Sequence, residues 1–400
     1  MFAATDAAHH RMRRTSLNQF FSKKKILELA PRIRDQVQKM FSRLEKEYKG
    51  NDKVLRIDFM FAAVAADIVT GYSFDRSYNF LDAPEFISPF TSSIESFKKA
   101  AKLSVNFPWL PRLLSKLPEN WVAAMNPEII PSFEFRKVSD ERSHYLLDTY
   151  FLQAMVEQIE EIQRDRAEDK IDRGKGTIFT EILEAKLAPS EMTTARLADE
   201  AAGIVGAALE TTKWALSVIT YYVLSDKEVL DRLRKEVTEA RAETLSLPEL
   251  EKLPYLMAVI QEGLRMSYGT IGRSPRIHRT RPIQYGDYVI PPGTPISTST
   301  YIVHNDETIY PDSHQFNPSR WIQPDGAKPL SRYLTCFSKG SRMCLGMQLA
   351  YAEMELIVAE LFTRFDLELF ETTQKDVICT HDQMGVGVSE GSKGIRVIVR

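Results

Sequence analysis

The sequence predicts a mainly α-helical protein that carries small β-sheets. Apolar residues recur at helical spacing from Ile26 to Tyr48, and a second helix is predicted at about Ile57 to Gly71. Short alternating segments flank the turn at Gly286-Asp287 and occupy the tail from Leu367 to Arg400. Because no Ser/Gly-rich or Pro-rich linker interrupts the 400 residues, we expect a single domain over residues 1–400.

Composition narrows the class of protein. The 52 Lys and Arg residues nearly balance 54 Asp and Glu, for a formal charge of -2, which argues against a nucleic-acid partner. Cys336, Cys344 and Cys379 show no paired spacing, so a disulfide framework is not expected and an intracellular, reducing compartment fits. No apolar run reaches the roughly 18 residues that span a bilayer, so no transmembrane segment is predicted. Four histidines lack metal-ligand spacing and are interpreted as structural or surface residues: His278, His304, His314 and His381.

One cysteine lies in the most distinctive stretch of the chain. Cys344 follows a basic, glycine-bearing loop and precedes a helical pattern from Met347 to Phe365, predicted to be amphipathic. Unpaired backbone N–H groups and the macrodipole at a helix start favour an anion such as a thiolate. Three uses of this cysteine compete: a metal or haem ligand, a catalytic nucleophile, and a buried residue without chemistry. No histidine stands in a recognisable partner motif, which argues against a cysteine hydrolase.

A long helix is predicted to begin at Pro189, and its middle, Ala201 to Thr212, is rich in small residues. Small residues along a helix allow a flat group to approach its backbone closely. Glu210 and Thr211 lie in this apolar stretch. Burying an acidic side chain there costs free energy unless it has hydrogen-bonding partners or a function.

Two charged pairs stand at helical spacing. His10 and Arg14 are four residues apart, and Glu262 and Arg265 are three apart, so each pair shares one helix face. Most such pairs and basic clusters are solvated surface features that contribute little stability. Spacing alone therefore assigns neither pair a function.

The spacing Phe-x-x-Gly-x-Arg-x-Cys-x-Gly resembles the cysteine-ligand loop of the cytochrome P450 superfamily. Its defining positions are filled by Phe337, Gly340, Arg342, Cys344 and Gly346. The other motifs follow in the family's order: the basic helix of His10 and Arg14, Glu210-Thr211, Glu262-x-x-Arg265, and Arg320 within Phe316 to Trp321. The resemblance extends from Ala7 to the end and implies the P450 fold, a helical haem domain with small β-sheets, acting as a haem-thiolate monooxygenase.

The resemblance also implies a site. Cys344 would be the axial thiolate ligand of a haem b iron, and Glu210 and Thr211 would relay protons to dioxygen, with Ala208 where glycine is more usual. Further haem-binding residues would be His10, Arg14, Arg276, Phe337, Arg342 and Gly346. Glu262, Arg265 and Arg320 would form a buried, mutually compensating charge cluster. The substrate pocket would be lined by Ile204, Val205, Ala208, Thr270, Ile271, Met384 and Val386.

Substrate, partners and location follow from the same resemblance. The residues of these motifs are similar to those of fungal enzymes of secondary metabolism. This similarity implies a lipophilic substrate, such as a terpenoid intermediate. It also implies O2 as co-substrate and NADPH-cytochrome P450 reductase or a similar protein as electron donor. Since the match begins at the family's C helix, we expect the chain to lack the N-terminal anchor, first helices and first strands. The full-length form is expected at the cytosolic face of the endoplasmic reticulum, with a further membrane contact at the lid between about residues 86 and 166. The rival hypothesis is a truncated haem-binding fragment without turnover.

Overall fold

The structure is a computed structural model that describes residues 4, 6–87, 107, 109, 149–168, 170, 176–184, 187–323, 328–383 and 385–400. Within these ranges the fold is mainly helical with short antiparallel strands, as the sequence predicts. The α-helices are α1 Ala7–Asn18, α2 Lys23–Glu47, α3 Ile57–Phe74, α4 Thr149–Ala167, α5 Ile178–Glu184, α6 Thr194–Ser225, α7 Lys227–Glu239, α8 Leu247–Leu250, α9 Pro254–Ser267, α10 Thr300–His304 and α11 Met347–Arg364. The strands are β1 Leu55–Arg56, β2 Arg276–Ile277, β3 Ile283–Tyr285, β4 Tyr288–Ile290, β5 Pro295–Ile296, β6 Leu367–Leu369, β7 His381–Asp382, β8 Val386–Gly387 and β9 Arg396–Val399. Single 3-10 turns occur at Phe80–Asp82, Pro84–Phe86, Pro189–Glu191, Ala242–Thr244, Pro318–Trp321, Leu330–Tyr333, Gly340–Arg342 and Gln374–Asp376.

Polar side chains define the starts of three helices that build the site. Asp6, Ser22 and Thr193 each accept the backbone N–H three residues on, which satisfies one of the unpaired donors of the first turn. The long helix α6 therefore begins at Thr194, and the predicted start at Pro189 is wrong. The residues Pro189–Glu191 form a separate 3-10 turn because the capping hydroxyl comes later in the chain.

Helix α6 lies at the centre of the described fold. It packs against α3, α4, α9 and α11, and α2 covers α3 and α11. Among the described residues α3 is long and apolar enough to cross a membrane, but 89% of its 18-residue window is buried inside the protein. The apolar surface of α3 is therefore used for packing in the core.

Helix α11 is buried on more than one face, so the predicted amphipathic pattern is wrong. Its buried residues include Leu349 and everything from Ala352 to Phe362. The reason is its surroundings, because α2, α6, α7, α8 and α9 all contact it. The helix that follows Cys344 is thereby fixed within the core.

Four small antiparallel sheets complete the described fold. Strand β9 lies between β1 and β6, with Leu55 opposite Val397 and Leu367 opposite Val399, so the last strand joins the first third of the chain. The other described sheets are the pairs β2–β5, β3–β4 and β7–β8. In the β3–β4 hairpin Tyr285 faces Tyr288, and these side chains are 73% and 75% exposed.

Two regions of the sequence predictions lie outside the described residues. Most of the predicted lid falls in residues 88–106, 108 and 110–148, and Met384 is also outside the described ranges. The last part of the predicted lid is described from Thr149, where α4 continues to Ala167.

Candidate functional site

The cysteine loop folds back on itself before α11 begins. The Cys344 N–H donates a hydrogen bond to the Phe337 carbonyl at 2.8 Å, and the Met343 N–H donates to the Gly340 carbonyl at 3.0 Å. Gly340 has φ +77, which favours glycine, although a Cβ there would meet no atom within 4 Å. Glycine is therefore needed for the turn and not for space. The turn places Cys344 two residues before Gly346, the N-cap of α11.

Cys344 differs from the other two cysteines in its surroundings. It is exposed, whereas Cys336 and Cys379 are partly buried. Desolvation by the surrounding loop raises the pKa of the Cys344 thiol, while the nearby Gly346 N–H and the positive charge of Arg14 act in the opposite direction. Desolvation raises the pKa of Cys336 to about 12. Cys344 is therefore the most exposed of the three cysteines, and the Gly346 N–H and Arg14 favour its anion.

Positive groups from three elements gather around His10, which is buried on α1. Burial lowers the pKa of His10, and the charges of Arg342, Arg14 and Arg276 lower it further. The Arg14 Nη1 donates to the Met343 carbonyl at 2.7 Å, and the Arg342 Nη1 donates to the Ala4 carbonyl at 2.8 Å. These bonds join α1, and Ala4 three residues before its start, to the cysteine loop. Arg276, on the exposed strand β2, donates to carbonyls of its own segment.

The donor set fits a haem. An exposed thiol suits the iron, and guanidinium groups suit the two propionate carboxylates, which arginine binds through paired hydrogen bonds. Phe337 supports the loop from within, with its ring centroid 5.5 Å from that of Tyr351 on α11.

The other face of α1 binds an acid that the sequence analysis missed. Glu191 accepts from His9 Nε2 at 2.8 Å, from Arg13 Nε at 2.8 Å and from Arg196 Nε at 3.2 Å. These partners, Arg13 first, hold the pKa of Glu191 at about 2. Because His9 and Arg13 share one face and His10 and Arg14 the next, α1 is anchored to the start of α6 while its second face meets the cysteine loop.

On α6 the two predicted proton-relay residues have defined partners. The exposed Thr211 donates its hydroxyl proton to the Ala207 carbonyl at 2.8 Å, which leaves its lone pairs able to accept. The Glu210 Oε2 lies 2.7 Å from Nζ of Lys213, one turn on. The sequence analysis missed Lys213, although its i,i+3 spacing from Glu210 was readable.

The predicted pocket residues divide between two clusters. Ile204 and Val205 are buried in the main core, so Ala208 and Thr211 carry accessible surface on this part of α6. Ile271 and Val386 pack with Tyr268 in a small separate cluster, against which Trp214 of α6 lies. Thr270 is exposed.

The predicted charge cluster is assembled around one carboxylate. Glu262 accepts from Arg265 at 2.8 and 2.9 Å and from Arg320 Nε at 3.1 Å. It also accepts from Asn317 N–H at 2.9 Å and from the indole N–H of Trp321 at 2.8 Å. Five N–H groups thus converge on Glu262, which has no exposed surface.

The cytochrome P450 family model matches residues 1–397. The chain belongs to the cytochrome P450 family. Its sequence is 36% identical to a cytochrome P450 monooxygenase, MO6277, of Ascocoryne sarcoides, over 98% of this chain and 76% of that protein. It is 37% identical to the monooxygenase tpcC of Cochliobolus heterostrophus, over 98% and 74%, and 35% identical to the monooxygenase TRI4 of Fusarium sporotrichioides, over 95% and 70%. This cytochrome P450 is accordingly an oxidoreductase of the monooxygenase class.

Proposed function

We propose that this cytochrome P450 inserts one oxygen atom from O2 into a lipophilic small molecule, and that Cys344 would supply the thiolate that binds the iron of haem b. The observation that carries the proposal is the exposed Cys344 thiol beside the positive groups around His10. Thiolate-ligated haem, when bound, activates O2 with two electrons and two protons, so that one oxygen enters the substrate and the other leaves as water.

The positive groups around His10 would bind the two propionate groups of the haem. Arg14 and Arg342 are already oriented by the Met343 and Ala4 carbonyls, so less side-chain freedom is lost when a carboxylate binds. His10 is buried beside them and contributes a ring N–H, while Arg276 approaches from β2. Their summed charge favours a dianionic ligand at this place.

Proton transfer is assigned to α6. The Thr211 hydroxyl donates to the Ala207 carbonyl, so it is oriented to accept a hydrogen bond from a proton donor in the pocket. The Glu210 carboxylate, held by Lys213, takes protons from the solvent side and passes them toward Thr211. Ala207 and Ala208 leave space beside this hydroxyl.

The substrate class is inferred from the lining. Ala208 carries accessible apolar surface, and Ile271 and Val386 belong to a buried apolar cluster with Tyr268, so the predicted lining is apolar and favours an apolar ligand. A terpenoid or other secondary-metabolite intermediate fits this lining and agrees with the fungal origin of the relatives. The electrons are supplied by NADPH-cytochrome P450 reductase or a similar donor.

Oxygen labelling tests the proposed function. The haem-loaded protein is combined with a fungal NADPH-cytochrome P450 reductase, NADPH, isotopically labelled O2 and a panel of terpenoid hydrocarbons and alcohols. We expect substrate-dependent NADPH oxidation and products that carry one labelled oxygen atom. Haem-loaded, reducible protein that oxygenates no member of the panel would contradict the proposal and favour a haem-binding protein without turnover.

A further inference from the structure

His304, at the end of α10, has both ring nitrogens engaged and no exposed surface. Its Nδ1 lies 2.7 Å from the Arg265 carbonyl, and its Nε2 lies 2.9 Å from the Thr335 backbone nitrogen. A carbonyl only accepts and a backbone N–H only donates, so Nδ1 carries the proton and Nε2 accepts. His304 is therefore a neutral ring in a single tautomer.

The two partners of His304 belong to the charge cluster and to the cysteine loop. Arg265 is bound to Glu262, and its Nη1 also donates to the His304 carbonyl at 2.9 Å. Thr335 lies two residues before Phe337, whose carbonyl accepts the Cys344 N–H. A continuous path of hydrogen bonds and short backbone thus runs from the buried charge cluster to Cys344.

A separate contact fixes the same segment. Gly269, just after α9, has φ +65, and a Cβ built there would lie 2.5 Å from the Cys336 carbonyl oxygen. The backbone at Cys336 is therefore pressed against the chain that leaves α9. Thr335 and Cys336 are thus each contacted by a different part of the chain, His304 and Gly269.

We propose that His304 is a positioning residue for Cys344, which transmits the fixed position of the Arg265 main chain through Thr335 to the cysteine loop. This inference rests on the proposed function, since it assumes that Cys344 binds the iron. Residues that surround a metal ligand and fix its orientation alter metal affinity when they are changed. His304 itself does not touch the haem.

The surroundings of His304 keep its ring neutral. Burial, and then the positive charges of Arg265 and Lys339, lower its pKa to about 4, while the Arg265 carbonyl and Glu262 act in the opposite direction. The rings of Tyr268 and Tyr310 contact the imidazole, with centroids 6.1 Å away in each case. The Nε2 acceptor is therefore present throughout the neutral pH range.

Two substitutions separate the two nitrogens of His304. In His304→Gln the amide oxygen reaches the place of Nε2 and accepts from Thr335, whereas His304→Asn places its amide nitrogen near Nδ1 and leaves Thr335 without an acceptor. We expect haem to leave His304→Asn roughly tenfold faster than wild type, the factor that one lost hydrogen bond is worth. We also expect part of its reduced, carbon monoxide-bound spectrum to move to the thiol form. His304→Gln keeps the acceptor for Thr335 but loses the donor to the Arg265 carbonyl, so its haem loss should lie between wild type and His304→Asn.

The matched control is Tyr72→Phe, which removes a buried hydrogen bond to the Phe20 carbonyl at 2.6 Å, far along the chain from the cysteine loop. It should lower stability without changing the carbon monoxide spectrum. Equal behaviour of His304→Asn, His304→Gln and Tyr72→Phe would overturn the inference. If the three variants behave alike and Cys344→Ala loses the thiolate spectrum, this inference alone is overturned. If Cys344→Ala keeps the thiolate spectrum, the proposed function is overturned.

Hydrogen exchange on the wild-type protein tests the inference without any substitution. In the wild-type protein the Thr335 amide should exchange as slowly as the amides of the helical core, because Nε2 of His304 accepts from it in a buried place. Rapid exchange of that amide in the haem-loaded protein would overturn the inference.

Discussion

Arg265 and Glu262 are joined by two hydrogen bonds, Nε to Oε2 at 2.9 Å and Nη2 to Oε1 at 2.8 Å, and neither side chain has any exposed surface. The remaining N–H groups of Arg265 donate to the carbonyls of His304, Ser313 and Gln315. All five donors of the guanidinium are thus used. The pair is tolerated in the core because each charge compensates the other. Removing either side chain would leave the other charge buried without compensation.

Glu262→Ala should therefore destabilise the protein by about 3 to 5 kcal/mol, because it leaves the buried Arg265 without its counter-charge. Arg320→Ala should cost less, roughly 1 to 3 kcal/mol, because Glu262 keeps Arg265 while the Pro311 carbonyl loses its donor. Urea unfolding of each variant gives the free energies.

The control for the charge cluster is Asp231→Ala, which breaks the exposed pair of Lys227 and Asp231. It should change the free energy of unfolding by less than about 0.5 kcal/mol. A loss in Glu262→Ala as small as in this control would show that the buried cluster contributes no more than a surface pair.

Gly269→Ala should be among the most damaging glycine substitutions. The new Cβ would face the Cys336 carbonyl oxygen at 2.5 Å, at a φ of +65 that alanine adopts poorly. Gly286→Ala is the matched control, since φ is +56 but no atom lies within 4 Å of the added Cβ. We expect about 1 kcal/mol of destabilisation in the control and roughly 3 kcal/mol or more in Gly269→Ala. Equal losses in urea unfolding would show that the contact with Cys336 is not tight.

Acid should weaken the fold through His304. Its pKa is about 4 in the folded protein, below the ordinary value of 6.5. Above pH 6.5 the ring is neutral in both states and its contribution is complete. As the pH falls from 6.5 toward 4, only the unfolded chain takes up the proton, so the free energy of unfolding decreases by at most about 3 kcal/mol.

Comparison with His304→Gln isolates this effect, because burial raises the pKa of Glu355 to about 8 and gives that residue the opposite pH dependence. The difference in unfolding free energy between wild type and His304→Gln should shrink between pH 7 and pH 4.5. A constant difference over this range would contradict a depressed pKa at His304.

Thr211→Ala should leave haem binding unchanged and divert electrons from product to hydrogen peroxide. The hydroxyl is oriented by the Ala207 carbonyl, and proton delivery by such groups is worth roughly a hundredfold or more in rate. The measurement is the ratio of product to NADPH consumed. Thr211→Ser keeps a hydroxyl and should restore most of the coupling. Wild-type coupling in Thr211→Ala would exclude Thr211 from proton delivery.

Much of the fold could be predicted because its signals are local. Apolar periodicity predicted α2 and α3 to within a few residues, and the alternating segments around the turn at Gly286 predicted the β3–β4 hairpin. The burial of α11 on several faces could not be predicted, since it depends on helices that come from distant parts of the chain. The later start of α6 could not be predicted because a helix can begin at Pro189 or after Thr193, and the chain uses Thr193 as the cap.

The candidate site also has parts that local sequence patterns indicate and parts that they do not. The cysteine loop is contiguous, and Glu262 and Arg265 share a helix face, so both were readable from spacing. The bonds of Glu191 to His9 and Arg13 span 182 and 178 residues, and no local pattern indicates them. A lone histidine has no periodicity either, so the sequence placed His304 only among structural or surface residues, and its two partners came from the structure.

The carbon monoxide difference spectrum of the reduced protein tests the central claim most directly, because the position of its band reports which protein residue would bind the iron. Cys336→Ala is the control, since it removes a neighbouring thiol whose pKa is raised to about 12. The account predicts the red-shifted thiolate band in wild type and in Cys336→Ala, and its loss in Cys344→Ala. Persistence of that band in Cys344→Ala would contradict the assignment of Cys344 as the iron ligand.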